Sequence, residues 1–128
     1  MNKSFLSIAS VLGALSVALG AFAAHALKKS FPADAQSIFE TAVRYQFYHV
    51  FALFIVAILS EKFKSKWINW SGYCFIAGIV FFSGSLYAIA VLKAKGTVGL
   101  EGIGIITPLG GLFFILGWLL LFVGVSKR

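Results

Sequence analysis

Polar and ionisable residues are concentrated in one stretch of the chain, TAVRYQFYH, which runs from Thr41 to His49. The stretch leads directly into an apolar segment at residues 50–59. Such groups are costly inside a membrane unless they pair or face a cavity, so they are functional candidates there. We therefore expect a ligand-binding or proton-handling site to include Arg44, Tyr45, Tyr48 and His49.

Helical spacing relates this stretch to a neighbouring acid. Glu40 precedes Arg44 by four residues, the favourable order for an ion pair on one helix face. Such a pair would lower the cost of placing Arg44 near a membrane boundary. A structural interpretation stays open beside the functional one, because tyrosine and arginine are also ordinary anchors at a membrane interface.

A second histidine, His25, lies near the end of the first apolar segment, on the side where the chain enters the second. His25 and His49 together with Glu40 and Glu101 would suit a proton relay or a metal site. The spacing matches no metal motif such as HExxH, so we expect no metal. Alternatively, His25 only bonds the carbonyls at a helix end.

Composition indicates what positions these residues. The chain has 128 residues, of which 60% are hydrophobic and 12% charged, and its mean hydropathy is +0.96. Soluble domains carry about 25% charged residues, so this chain belongs in a membrane. Its net charge of +7 lies mostly between apolar segments. This pattern predicts contact with anionic lipid head groups and not with nucleic acid.

Apolar segments at residues 4–27, 41–60, 67–92 and 103–125 are each long enough to cross a bilayer. A bilayer core of about 30 Å needs about 20 helical residues. The fold class predicted is an all-α membrane protein, an antiparallel bundle of four transmembrane helices forming one domain over 1–128. The first segment exceeds the core of a signal peptide, which is about 7–15 residues, so we interpret it as a helix.

The basic residues also predict an orientation. Four spans place both termini and the second loop on one side of the membrane. That side holds six basic residues and the other holds four, or five with Arg44. The positive-inside rule therefore predicts cytoplasmic termini. The six are Lys3, Lys62, Lys64, Lys66, Lys127 and Arg128.

Two helix boundaries are ambiguous in the sequence. After Pro32, Asp34 can begin a short amphipathic helix at the interface before the second span. The same residues can also be the first turns of one long helix, which the lack of a Gly or Pro break favours. Thr107 and Pro108 suit the N-cap and first position of the fourth helix, after an apolar loop over 98–106. The alternative is a longer helix kinked at Pro108.

Small residues recur at helical spacing in the first and last segments and predict close helix packing. The partner is either another helix of this chain or a second copy, so a homo-oligomer is one expectation. The residues are Ser10, Ala14 and Ala18; Ser16, Gly20 and Ala24; and Gly110, Gly117 and Gly124.

The chain resembles the small bacterial membrane-protein family catalogued as domain of unknown function 423, whose relatives include the animal transmembrane protein 256. The matching pieces are GAFAAHAL, TAVRYQFYH, FFSGSLY, ITPLGG and GW, in the family order. Ala23 stands where many members have glycine. The resemblance implies four transmembrane helices in the bacterial inner membrane, and no established activity or cofactor. The family's motif residues map onto His25, Arg44, Tyr45, Gln46, Tyr48, His49, Ser83, Ser85, Tyr87 and Thr107.

We accordingly predict one polar cluster at one side of the membrane. It comprises His25, Glu40, Arg44, Tyr45, Tyr48, His49, Tyr87, Glu101 and Thr107. The favoured function is a non-enzymatic scaffold that binds lipid or a partner. The alternatives are a small transporter or channel using the His/Arg/Glu cluster, and an intramembrane enzyme acting on lipid. The enzyme would need Ser83 or Ser85 beside His25 or His49, which nothing in the sequence requires.

Overall fold

The computed structural model describes residues 1–96, 99 and 101–127; of Glu101 it describes the backbone and not the side chain. Four of its helices are long and apolar enough to cross a membrane, which confirms the predicted fold class. The third crossing, residues 66–94, consists of two α-helices joined by a π-helical turn. The elements are α1 (Lys3–Ser30), α2 (Ala33–Lys62), α3 (Lys66–Gly78), the π-helical turn (Ile79–Ser83), α4 (Gly84–Ala94) and α5 (Glu101–Ser126).

The helices run antiparallel in chain order, and contacts at both ends of the bundle fix this arrangement. At the end that carries both chain termini, here called the terminal end, the backbone N–H of Asn2 donates to the carbonyl of Ala57 at 3.2 Å. Lys127 lies over the Trp67 ring at 5.4 Å at the same end. At the opposite end, Lys93 pairs with Asp34 at 3.0 Å.

The centre of the bundle is α2, which packs against α1, α3, the π-helical turn and α4. Its residues Val50, Leu53 and Val56 are almost fully buried and meet Phe5 of α1 and Phe75 of α3 in the main apolar core. Lipid tails are as apolar as these side chains, so close packing drives the association of the helices.

The glycines of α5 form its contact face with the third crossing, and so the predicted packing role of this repeat is confirmed. A Cβ on Gly117 would lie 2.7 Å from the Phe75 ring, and one on Gly124 would lie 2.6 Å from Ile68. A Cβ on Gly110 would overlap the backbone nitrogen of Phe82. The partner of this face is therefore in the same chain.

The small residues of α1 divide between two faces. Ser16 is buried and Gly20 lies against Val43 of α2. The other set, Ser10, Ala14 and Ala18, is exposed. Association of this exposed face with a second copy stays a prediction.

The structure distinguishes the alternatives at both ambiguous boundaries. The segment after Pro32 is continuous with α2, the alternative that the lack of a break favours, and it forms no separate interfacial helix. The fourth helix begins at Glu101 and contains Pro108, so the start at Pro108 is wrong and the alternative of a longer helix is correct in its extent. Proline is tolerated inside a transmembrane helix because neighbouring groups compensate for its missing N–H. Of the loop expected at 98–106, residues 98 and 100 lie outside the described residues.

Candidate functional site

His49 is buried at the middle of α2, against the inner face of α5. Its ring stacks on that of Phe114, with centroids 3.5 Å apart and planes within 7°. Its Nδ1 lies 2.7 Å from the carbonyl oxygen of Tyr45, and its Nε2 lies 3.1 Å from Nε1 of Trp118. The side chain is only 4% exposed.

The two partners of His49 assign its tautomer. The indole N–H of Trp118 can only donate, so Nε2 of His49 accepts its hydrogen bond. The carbonyl of Tyr45 can only accept, so Nδ1 carries the proton and donates to it. Both ring nitrogens are therefore committed, which leaves His49 no free nitrogen to act as a base or a metal ligand.

An aromatic surface groove lies beside His49, and we call it the α2–α5 groove. Its volume is about 510 Å³. Tyr48 and Trp118 border it and are 52% and 45% exposed, so the groove opens at the membrane-facing surface. Its lining residues are Tyr45, Tyr48, His49, Gly111, Phe114, Ile115 and Trp118.

Gln46 forms a buried junction between three helices. Its amide nitrogen donates to the carbonyl of Leu12 in α1 at 3.0 Å, and its amide oxygen accepts from the hydroxyl of Tyr87 in α4 at 2.6 Å. Gln46 is 3% exposed. The predicted cluster does not include Gln46, although an amide inside an apolar helix indicates an interhelical hydrogen bond. Tyr87 thus meets Gln46 in the interior of the bundle.

Two serines near the π-helical turn also join helices. The hydroxyl of Ser83 donates to the carbonyl of Ala42 at 2.8 Å, and that of Ser85 lies 2.6 Å from the hydroxyl of Thr107. The turn itself is closed by a bond from the Gly84 N–H to the carbonyl of Ile79, five residues earlier. Neither serine bonds a histidine among the described residues, so the pairing that the enzyme alternative requires is not formed there.

Arg44 and Glu40 lie on the outer surface of α2. Both are exposed, and they border a second groove of about 220 Å³ between α1 and α2, which we call the α1–α2 groove. Its remaining lining residues are small or aliphatic: Gly20, Ala23, Ala24 and Val43. The predicted ion pair between Glu40 and Arg44 is not formed. Exposed pairs gain little free energy because water screens them and both side chains lose entropy.

His25 lies on α1 at the end opposite the termini. It is exposed and borders a shallow concavity of about 470 Å³ with Lys28 and Lys29. The neighbouring Ala24 also lines the α1–α2 groove, so the two depressions adjoin. His25 therefore shares a surface with Arg44, while His49 lies in a different environment.

The structure thus does not bring the predicted residues into one cluster. Tyr45, Tyr48 and His49 line the α2–α5 groove, whereas His25, Glu40 and Arg44 lie along α1 and α2. Tyr87 and Thr107 form interhelical hydrogen bonds, and the side chain of Glu101 lies outside the described residues. A ligand-binding role for any of them stays a prediction.

The chain is similar to known proteins over nearly its whole length. Residues 19–111 match the family described as "Protein of unknown function (DUF423)". The chain is 38% identical to the UPF0382 membrane protein SH2409 of Staphylococcus haemolyticus, over 98% of this chain and 97% of the relative. It is 37% identical to the UPF0382 membrane protein YwdK of Bacillus subtilis, over 98% of both chains. It is 36% identical to the UPF0382 inner membrane protein YgdD of Escherichia coli K12, over 98% of this chain and 92% of the relative. No solved structure matches the chain.

Proposed function

Because the chain belongs to the DUF423 family, whose relatives are named membrane and inner membrane proteins, we propose that this multi-pass membrane protein binds an anionic lipid head group beside Arg44. In this proposal it acts as a non-enzymatic scaffold. The observation that carries the proposal is the exposure of Arg44 on the border of the α1–α2 groove.

The depth of Arg44 makes its exposure informative. It lies eleven residues after the start of α2, a helix of 30 residues. At 1.5 Å per residue, α2 is about 45 Å long, against a hydrocarbon core of about 30 Å. The backbone of Arg44 therefore lies inside the hydrocarbon region when α2 is centred, and its long side chain can extend toward the head groups. A charged group in this position needs a partner.

The lining of the α1–α2 groove suits a phosphate with a hydroxyl-bearing head group. The guanidinium of Arg44 can donate two parallel hydrogen bonds to a phosphate. Glu40, one turn nearer the start of α2, can accept hydrogen bonds from head-group hydroxyls. Gly20 and Ala24 leave room between the helices, and Lys28 and Lys29 add positive charge at the adjoining surface. Phosphatidylglycerol carries both of these groups.

The experiment is native mass spectrometry of the full chain in detergent with added phosphatidylglycerol, compared with phosphatidylcholine. We expect Arg44→Gln to weaken phosphatidylglycerol binding about tenfold, since it removes a charge-assisted hydrogen bond of about 1.5–3 kcal/mol. Arg44→Lys should retain part of the preference, because it keeps the charge and loses the two-pronged contact.

Lys64→Gln is the matched control, because it removes one positive charge at the terminal end. It should leave the binding of phosphatidylglycerol unchanged. Equal losses of phosphatidylglycerol affinity in Arg44→Gln and Lys64→Gln would show that the preference for this lipid reflects net charge alone. Unchanged binding in Arg44→Gln would reject the site.

The transporter alternative receives less support from the interior of the bundle. Gln46, Tyr87 and Ser83 use their polar atoms in hydrogen bonds that join the helices. A transport pathway needs such groups to border water or substrate instead.

A further inference from the structure

The α2–α5 groove lies at the middle of both helices that form it. His49 lies sixteen residues after the start of α2 and thirteen before its end. Phe114 lies thirteen residues after the start of α5 and twelve before its end. In a bilayer, this level corresponds to the hydrocarbon interior, where phospholipids supply chains and few hydrogen-bonding groups.

Two tyrosines of the groove have hydroxyls without a hydrogen-bond partner among the described residues. They are Tyr45 and Tyr48, whose rings meet edge to face at 5.6 Å. A phenol in hydrocarbon without a partner is costly. By contrast, the polar atoms of His49 and the indole N–H of Trp118 are satisfied by each other and by the backbone. Because both tyrosines line the groove, their phenol groups are the candidate hydrogen-bond donors to a molecule bound there.

We propose that the α2–α5 groove binds the ring of an isoprenoid quinone. A quinone is apolar enough to reside between the two leaflets, and its two carbonyl oxygens accept hydrogen bonds. Its flat ring suits a groove in which Tyr48 and Trp118 present exposed aromatic surfaces. The volume of about 510 Å³ holds such a ring and the first part of its tail.

The bonds of His49 give the groove a fixed wall. Trp118 and the Tyr45 carbonyl hold the imidazole in one orientation, stacked on Phe114. In this role His49 positions the aromatic walls and takes no part in proton transfer. The inference is independent of the proposed head-group site, which is a separate groove lined by different residues and takes a different ligand.

The test is titration of the full chain, purified without quinone and placed in nanodiscs, with ubiquinone-1 as the probe. Binding is followed through the quenching of tryptophan fluorescence, to which Trp118 contributes from the groove. We expect Tyr45→Phe and Tyr48→Phe each to weaken binding about fivefold to tenfold, because each removes one donor and keeps the ring. The same titration with 2-methylnaphthalene, which lacks carbonyls, should show weak binding that neither variant changes.

A second variant fills the groove without disturbing the packing. A Cβ on Gly111 would lie 3.9 Å from the Phe82 ring, which is an ordinary contact, so the first carbon of the side chain in Gly111→Leu fits beside the π-helical turn. It should abolish the saturable part of the quenching by ubiquinone-1, and leave the quenching of the exposed Trp70 by quinone dissolved in the lipid. Gly104→Leu is the control on the same helix, because a Cβ there meets nothing within 4 Å. Circular dichroism and thermal unfolding establish that both variants fold.

Two results would overturn the quinone site. One is undiminished quinone binding in Gly111→Leu, which would locate the probe elsewhere. The other is equal affinity for ubiquinone-1 and 2-methylnaphthalene, which would show a groove that accepts any apolar ring. Neither of these results depends on whether Arg44→Gln loses phosphatidylglycerol binding, so the two proposals can fail separately.

Discussion

At the scale of single residues, Gln46 is the interior side chain whose loss has the clearest consequence. Gln46→Leu removes its bonds to Leu12 and Tyr87 and leaves the hydroxyl of the half-buried Tyr87 without this partner. Leu12 loses less, because its carbonyl also accepts from Ser16. We expect a loss of about 1–3 kcal/mol in the free energy of unfolding, measured by denaturation in mixed micelles.

The control for Gln46 is a double-mutant cycle. Tyr87→Phe in the Gln46→Leu background should cost less than Tyr87→Phe alone, because the hydroxyl no longer has a partner to lose. Coupling energies between membrane helices average about 0.6 kcal/mol and reach about 1.7. Strict additivity would mean that the bond contributes nothing to stability.

The sequence identified the candidate residue types but not their partners. Arg44, Tyr45 and His49 stood out because polar residues are rare in apolar segments. Trp118 did not, since tryptophan is common in membrane helices, and its bond to His49 joins residues 69 positions apart. Such a pairing depends on the rotation of α5 against α2, which a hydrophobic pattern around the whole helix does not encode.

At the scale of helices, the contact between α5 and the π-helical turn depends on Gly110. A Cβ there would overlap the backbone of Phe82, which cannot turn away as a flexible side chain can. We expect Gly110→Ala to lower the free energy of unfolding by about 2–3 kcal/mol, the upper part of the range for overpacking, because the backbone of Phe82 cannot move aside. Gly111→Ala, its neighbour, should change stability by no more than about 1 kcal/mol, because alanine favours the helix. Similar behaviour of the two variants in mixed-micelle unfolding would contradict the tight contact.

Helix number and packing faces were predictable because a membrane allows few alternatives. Four apolar runs in one chain require four crossing helices, and glycines seven residues apart require a close neighbour. The start of α5 was not predictable from local rules. Thr107 and Pro108 fit a helix start, but the hydroxyl of Thr107 bonds Ser85 on a neighbouring helix, and the helix continues through the proline. The π-helical turn, which contacts α2 and α5, was likewise not predicted from the sequence.

At the scale of the whole molecule, the structure places both termini at one end of the bundle. The distribution of basic residues then predicts which side of the membrane this end faces. The terminal end carries six basic residues by sequence, against Lys28, Lys29, Lys93 and Lys95 at the other end. We predict cytoplasmic termini, so that green fluorescent protein fused after Arg128 fluoresces and alkaline phosphatase fused there is inactive.

Replacing Lys62, Lys64 and Lys66 by glutamine leaves three basic residues at the terminal end against four at the other end. This variant should lose its preferred orientation or insert in the opposite one. The same two fusions would detect this change as a rise in phosphatase activity. Replacing Lys28, Lys29 and Lys93 instead should strengthen the original orientation. Active phosphatase on the unmodified chain would show that the termini face outward and that the small excess of charge does not direct insertion.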